Sequence, residues 1–447
     1  MKYASLISLG CSKNLVDSES MAAQLVAMGF EMTDELPEAE LIVVNTCGFL
    51  ESAVQEAINT ILETATYKDT GKCVRLVVAG CMVQRYGRKL LDQLPEVDLF
   101  LGTSHYHELA TILGFSFSGN PRRLWIGRPV QEPCAGSGRV RSTPSHTAYL
   151  KIAEGCGNSC SFCIIPHLRG PLRSRAEADV LAEAAALGRE GVKEINLIAQ
   201  DTTAFGLDRN EPHAFARLLE KLDSVPGIEW IRILYAYPDR ISETLLRTMA
   251  QSSRIVPYLD VPIQHSVPRI LAAMGRPAED PAGIIDTIRS ILPQVALRTS
   301  LMVGFPGETA ADFKRLVAFM EQTRFDHAGV FAFSPETGTR AARHERRPGR
   351  KVAESRRAAL LEAQREISAR KLEDKIDRLL PVLIEGYHPE TDLLLSGRLS
   401  TQAPEVDGSV IITAGSAEGG RIRMVRITAA HEYDLEGVIM EGPGQAA

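Results

Sequence analysis

The chain has 447 residues, 45% hydrophobic and 24% charged, with a formal net charge of -6. That is room for two or three domains of ordinary globular composition, and it excludes a globally basic nucleic-acid binder. No apolar run approaches the roughly 18 residues that span a bilayer, and the opening MKYASLISLGCSKN lacks the cleavage site of an export signal. Eight cysteines are too sparse for a disulfide scaffold, so they read as metal ligands or free thiols in a reducing cytoplasm.

Residues 1–116 alternate strand and helix. Strands are predicted at Tyr3–Leu9, Leu41–Val44 and Val74–Ala79, with helices following near Asp17–Met28, Glu51–Thr66 and Arg85–Leu94. This alternation predicts a parallel sheet with covering helices. Cys11, Cys47 and Cys81 each fall just after one of the three strands. The carboxyl ends of parallel strands lie along one edge, where ligands bind, so the three thiols should converge. Isolated buried cysteines are common, but three at matching strand ends point to a shared metal site. Cys73, at the start of the third strand, is on the wrong edge, and Cys134 lies in a linker; neither is expected to be a ligand.

Residues 117–146 lose the alternation. Gly-Asn-Pro-Arg-Arg and Gly-Ser-Gly-Arg-Val-Arg are linker chemistry, and Arg122, Arg123, Arg128, Arg139 and Arg141 are expected to be solvated. Residues 147–378 resume it. A strand at Ala148–Ala153 runs into Cys156-Gly-Asn-Ser-Cys160-Ser-Phe162-Cys163. Further strands are predicted at Glu194–Ile198, Trp230–Leu234, Pro257–Ile263, Leu297–Val303 and Ala328–Phe333. Interspersed helices (Glu177–Arg189, Ala214–Leu222, Ser242–Gln251, Ala311–Glu321) make this a partial (β/α)6 barrel, with function at its carboxyl strand ends. A charged helix near Lys351–Leu379 trails it. Residues 379–447 carry five short β-type segments that suggest a small antiparallel barrel. From Pro381 onward there are ten acidic residues against four arginines.

Three cysteines within one loop suit an iron–sulfur cluster whose fourth iron has no protein ligand. Zinc would need a fourth ligand, and His167, in a stretch that looks extended, is the nearest.

C-x3-C-x-aromatic-C directly after a strand resembles the signature of radical S-adenosylmethionine (SAM) enzymes. In that family the open iron chelates the methionine end of SAM, and electron transfer yields a 5′-deoxyadenosyl radical. Cys11, Cys47 and Cys81 ahead of that core, with a TRAM-like module after it, resemble the methylthiotransferase branch. The resemblance implies two 4Fe–4S clusters: a radical-generating one on Cys156, Cys160 and Cys163, and a sulfur-carrying one on Cys11, Cys47 and Cys81. It also implies SAM contacts from Phe162, Gln200, Asp201, Gln264, Gly304 and Glu308, although loop capping is an equally sensible use of the polar ones. Arg173 and Arg175 are placed to meet a carboxylate of the cofactor or the substrate, although an exposed helix start is the more ordinary use of them.

Within the branch, Ser8–Ser18, Asn45–Ser52, Ile198–Thr202 and Pro257–His265 are similar to the members that modify protein. Those members methylthiolate the β-carbon of an aspartate in protein twelve of the ribosomal small subunit. The tRNA-modifying members typically carry Gly-Cys-Gln-Met-Asn where this chain has Gly-Cys-Ser-Lys-Asn, and methylthiolation of a tRNA adenosine is the alternative reading. A third is a non-catalytic iron–sulfur protein. An acidic C-terminal module agrees with docking a basic ribosomal protein rather than RNA, although acidic residues also serve simply to keep a surface soluble and charge alone does not decide. An electron donor is implied without identity; no membrane and no direct nucleic-acid contact is expected.

Overall fold

A computed structural model describes residues 2–130, 138–276 and 280–440; Cys134 lies outside them. The first sheet is all parallel, in the order β2-β1-β3-β4-β5-β6. Its strands are β1 (Lys2–Ser8), β2 (Phe30–Met32), β3 (Leu41–Thr46), β4 (Arg75–Gly80), β5 (Leu99–Gly102) and β6 (Leu124–Trp125). The β3 residues are buried on both faces, as a parallel sheet between two helix layers requires. The first helix spans Ser12–Ala27 and so begins earlier than expected. Ser-Lys-Asn reads as loop chemistry, yet Lys13 and Asn14 are buried here. The expected helix at Arg85–Leu94 is two, Cys81–Tyr86 and Lys89–Gln93, separated at Gly87. Part of the predicted linker is structural: β6 pairs with β5.

The second sheet contains β7 (Thr147–Lys151), then, after a short antiparallel pair β8 (Ala153–Glu154) and β9 (Arg173–Ser174), β10 (Glu194–Ile198), β11 (Trp230–Ile233), β12 (Ile255–Asp260), β13 (Ala296–Val303) and β14 (His327–Ala332). Its six strands lie side by side in sequence order, all parallel, as expected of a half-barrel. Alternate residues (Ala148, Leu150, Ile195, Leu197, Ile231, Ile233) pack under the helices. Those between them face the concave side, where Tyr149, Trp230 and Tyr258 meet Val16 of the first helix and Leu383 and Ala403 of the C-terminal module. Three parts of the chain therefore share one apolar cluster inside the half-barrel.

After the long helix Arg350–Glu373, a closed barrel forms from β15 (Leu379–His388), β16 (Thr391–Leu399), β17 (Val410–Ala414), β18 (Ile422–Ala430) and β19 (Leu435–Ile439). It docks near the amino-terminal ends of the half-barrel strands. There Glu194 pairs with both Arg232 and Arg398 at 2.8 and 2.6 Å, all three buried. Asp407 meets Arg298, His327 and the hydroxyl of Tyr258.

Candidate active site

Because β1, β3 and β4 are neighbours, Cys11, Cys47 and Cys81 leave adjacent strand ends. The three loops touch closely enough to need glycine. A Cβ on Gly10 would stand 2.8 Å from that of Cys47, and one on Gly48 would stand 2.7 Å from the carbonyl carbon of Cys81. Asn14 ties two of the loops together, its Nδ2 donating to Leu9 O at 2.9 Å and Thr46 O at 3.1 Å. Asn45 Nδ2 donates to Asn14 O, and Thr46 Oγ1 to Ala79 O. Cys73 lies at the opposite end of β4, buried in the core, its thiol 3.5 Å from Arg75 O.

The second set sits on a loop pinched at its base by β8 and β9, where Cys156 N donates to Gly170 O at 3.1 Å. Gly155 has φ +78°, and a side chain there would collide with the Pro171 carbonyl. N–H groups aim at the sulfurs: Asn158 N at Cys156 Sγ and Ile165 N at Cys163 Sγ, both 3.4 Å, with Arg276 Nη1 at 3.8 Å from Cys160 Sγ. Burial pushes the Cys81 and Cys163 thiols up to about 12. They carry charge only against a metal, which deprotonates a thiol that binds it. Soft donors in two threes with N–H groups on the sulfurs are chemically suited to iron–sulfur clusters. Among the described residues no group of three or more His, Cys, Asp and Glu is arranged to hold a single metal ion. His167 is exposed and lies in a short helix, Ile165–Arg169, not in extended chain; Pro166 suits the start of a helix, where its missing N–H costs nothing.

The two sets meet across a thin buried layer. Cys81, Phe49, Ile164 and Leu168 form an apolar wall. Beside it Arg169, from the end of the second cysteine loop, donates Nε to Cys81 Sγ at 3.2 Å. Its Nη1 reaches Asp17 at 2.5 Å and Glu154 at 3.3 Å, and its Nη2 meets Asn14 Oδ1. Lys151 joins the same two carboxylates, at 2.8 Å from Glu154. Two cations and two carboxylates balance. Burial alone would raise the Glu154 carboxyl, but Lys151 and Arg169 hold it well below the usual range. Cys11, although exposed at the surface, is likewise brought below the ordinary thiol value: desolvation by the surrounding protein opposes this, while Lys13, Arg169 and the N–H groups of Asn14 and Lys13 favour the thiolate.

The expected SAM contacts are dispersed among several partners. Phe162 packs with Val267, Met274 and Phe305 beside the cysteine loop. Gln200 donates to Glu154 at 2.7 Å, and its buried Oε1 has no partner among the described residues. Asp201 caps the following turn through Ala204 N and binds Asn158 and Arg240. Gln264 has φ 73° and brackets β13 through Ser300 O and Met302 N. Gly304 abuts Ala353 of the trailing helix, and Glu308 accepts from Gly304 N, Phe305 N and Arg356. Arg175 is locked to Glu183 at 2.6 Å, and Arg173 donates to the carbonyls of Pro171 and Arg169. Arg139, expected to be solvated, keeps only 9% of its side chain exposed and clamps Glu19 of the first helix to Glu183 of the half-barrel, at 2.8 and 2.7 Å.

Sequence reasoning missed Asn14, Asp17, Lys151, Glu154 and Arg169. One signal was available: Asn14 and Asp17 are three residues apart on one helix face, directly after Cys11.

Three family models match the chain: residues 3–102 the "Uncharacterized protein family UPF0004", residues 150–320 the "Radical SAM superfamily" and residues 376–440 the "TRAM domain". The chain is 60% identical over 439 residues to the ribosomal protein uS12 methylthiotransferase RimO of Syntrophobacter fumaroxidans, covering 98% of this chain and 99% of the relative. It is 46% identical to the RimO of Syntrophotalea carbinolica (98% and 97% covered) and 45% to that of Geobacter sulfurreducens (98% of each). Among solved structures, the radical SAM methyltransferase TsrM from Kitasatospora setae, with tryptophan and a SAM analogue bound, aligns with TM-score 0.55 at 14% identity, covering 74% and 73% of the two chains. That likeness shows the fold.

Proposed function

The chain belongs to the RimO family of ribosomal protein uS12 methylthiotransferases, and from that premise we propose that it replaces one C–H on the β-carbon of a uS12 aspartate by C–SCH3. Radical SAM membership brings a 4Fe–4S cluster and SAM with it. Cys156, Cys160 and Cys163 would hold that cluster, and Cys11, Cys47 and Cys81 a second one. When bound, these groups supply one-electron chemistry able to break an unactivated C–H bond and the sulfur that takes its place. A radical route is needed because no side-chain base removes an aspartate β-hydrogen at useful rates.

The chain's own residues position and insulate. Arg169, Lys151, Asp17 and Glu154 lock the two cysteine loops together as a neutral buried layer. Phe49, Ile164 and Leu168 keep water from the space between them. The observation that carries the reading is the 3.2 Å contact of Arg169 with Cys81 Sγ, which joins one cysteine set to the other. Gln200, Asp201, Gln264, Gly304 and Glu308 would shape the SAM pocket, most of them through the backbone turns they cap.

Among the described residues no helix is long and apolar enough to cross a membrane; we place the enzyme in the cytoplasm with its ribosomal substrate. The basic substrate would dock on the C-terminal barrel, where Glu390, Asp392 and Glu405 are exposed. Glu385, Asp407, Glu432 and Glu436 are already paired with Arg398, Arg298, Arg365 and His431. The test is mass spectrometry of uS12 and of tRNA from a deletion strain. Loss of a methylthio increment on one uS12 aspartate is expected; loss confined to tRNA would overturn the proposal.

A further inference from the structure

The layer between the first domain and the half-barrel buries several cations, and Arg139, Lys151 and Arg169 each have carboxylate partners. Lys13 does not. Only 8% of it is exposed, yet among the described residues no carboxylate forms an ion pair with it. Its Nζ sits 3.2 Å from the centroid of the Tyr235 ring. A buried ammonium is costly without an anion, and an aromatic face is only a partial substitute.

The ring beneath it is held in place against its own preference. Tyr235 has φ 60°, a left-handed conformation that is strained for a bulky residue. Its N–H donates to Asp260 Oδ2 at 3.1 Å and its carbonyl accepts from Thr202 N at 3.1 Å. Asp260 is thereby engaged behind the tyrosine backbone. The phenol lies 3.5 Å from Ser12 Oγ, across the domain boundary. Tyr235 leaves the carboxyl end of β11, the edge that also carries the radical loop. Lys13 is in the first turn of the helix Ser12–Ala27, two residues from Cys11. That turn holds no acidic residue, so the positive end of the helix adds to the ammonium.

A buried cation that no described carboxylate ion-pairs, although Asp260 attracts it from behind the tyrosine, a strained aromatic floor and a helix start converge beside Cys11. We propose that Lys13, seated over Tyr235, binds the side-chain carboxylate of the substrate aspartate and so selects Asp over its neutral isosteres. This rests on the uS12 reading above. SAM is a second source of carboxylate, and the measurements separate the two.

The test compares reconstituted wild-type, Lys13→Met and Lys13→Arg enzymes on uS12 with its target Asp and with that residue changed to Asn. The readout is kcat/KM for methylthiolation by mass spectrometry. A hydrogen-bonded charge pair predicts that Lys13→Met loses about 10- to 100-fold on the Asp substrate and little on the Asn one. The Asp preference then collapses, while Lys13→Arg retains it. Lys13→Gln, smaller and polar, gives the same collapse should Met disturb packing. An undiminished Asp preference in the neutral variants would overturn the assignment. So would a raised KM for SAM in substrate-free cleavage, which would put the cofactor's carboxylate on Lys13. If wild-type enzyme leaves uS12 unmodified, the functional reading fails and this one with it; if it modifies uS12 while Lys13→Met keeps the preference, this one fails alone.

Discussion

Replacing Arg169 by Met is the sharpest test of the buried layer between the two cysteine sets. The guanidinium is 3% exposed and touches Cys81 Sγ, Asp17, Glu154 and Asn14. With Lys151 it balances two buried carboxylates; without it one negative charge is left uncompensated. Breaking a buried pair in this way costs about 3–5 kcal/mol, which for a domain of this size lowers the melting temperature by roughly 10 °C. The second substitution Asp17→Asn removes the surplus charge. The double variant should therefore be more stable than the sum of the singles, with a coupling of about 1–3 kcal/mol. A second effect falls on the cluster of the first domain. Losing a cationic donor to a ligating sulfur lowers the reduction potential. Potentiometric titration followed by EPR, in a background lacking Cys156, Cys160 and Cys163, reads that cluster alone. Additive stabilities together with an unshifted potential would refute the coupling of the two sets through Arg169.

Changing Cys156, Cys160 and Cys163 to Ala should remove one cluster's iron and abolish 5′-deoxyadenosine release, while changing Cys11, Cys47 and Cys81 should spare that release and stop thiolation; iron assay and chromatography read both. Gly48→Ala drives a methyl against the Cys81 backbone, 2.7 Å away, and should lower the iron of the first-domain cluster with cofactor cleavage intact; full iron content would show that the loops yield. Stability should fall with acid in two windows. His265 is pushed down to about 4 by burial, so it is neutral when folded; the unfolded chain takes up the proton first, and stability declines below about pH 6.5. Burial would raise Glu194, but Arg398 and Arg232 hold it at about 2, so roughly 3 kcal/mol is lost between pH 4.5 and 2; melting curves that stay flat across both windows would contradict these assignments.

The convergence of Cys11, Cys47 and Cys81 could be reasoned from the chain because it depends only on strand direction, and a run such as Leu41–Val44 announces its strand through composition alone. The short strands Phe30–Met32 and Leu99–Gly102 and the helix Pro281–Ile291 went unread, since neither length nor periodicity separates them from loops. The start of the first helix was misplaced because Ser12, Lys13 and Asn14 are polar, and what covers them lies more than a hundred residues away in the half-barrel. Charge pairing was the least legible. Arg139 and Arg169 look like ordinary surface arginines in sequence, and only the docking of two domains makes them bridges largely hidden from solvent. Glu308 and Asp201 show the converse: carboxylates at strand ends look available for ligand but already serve backbone N–H groups and arginines.

The seating of the C-terminal barrel bears on the order in which the molecule can be completed. Strands β10 to β14 place Glu194, Arg232, Arg298 and His327 on the inside of the half-barrel, and part of their neutralising charge arrives only with Arg398 and Asp407. During synthesis the half-barrel emerges first and must wait, with a charged, unfilled interior, until residues 398–407 have left the ribosome. A chain stopped short of that point would keep its cysteine loop but lack the counter-charges at the far end of the same strands, a state open to misassembly. A module made after the half-barrel is thus what fills the inside of the sheet whose other end carries the cysteine loop.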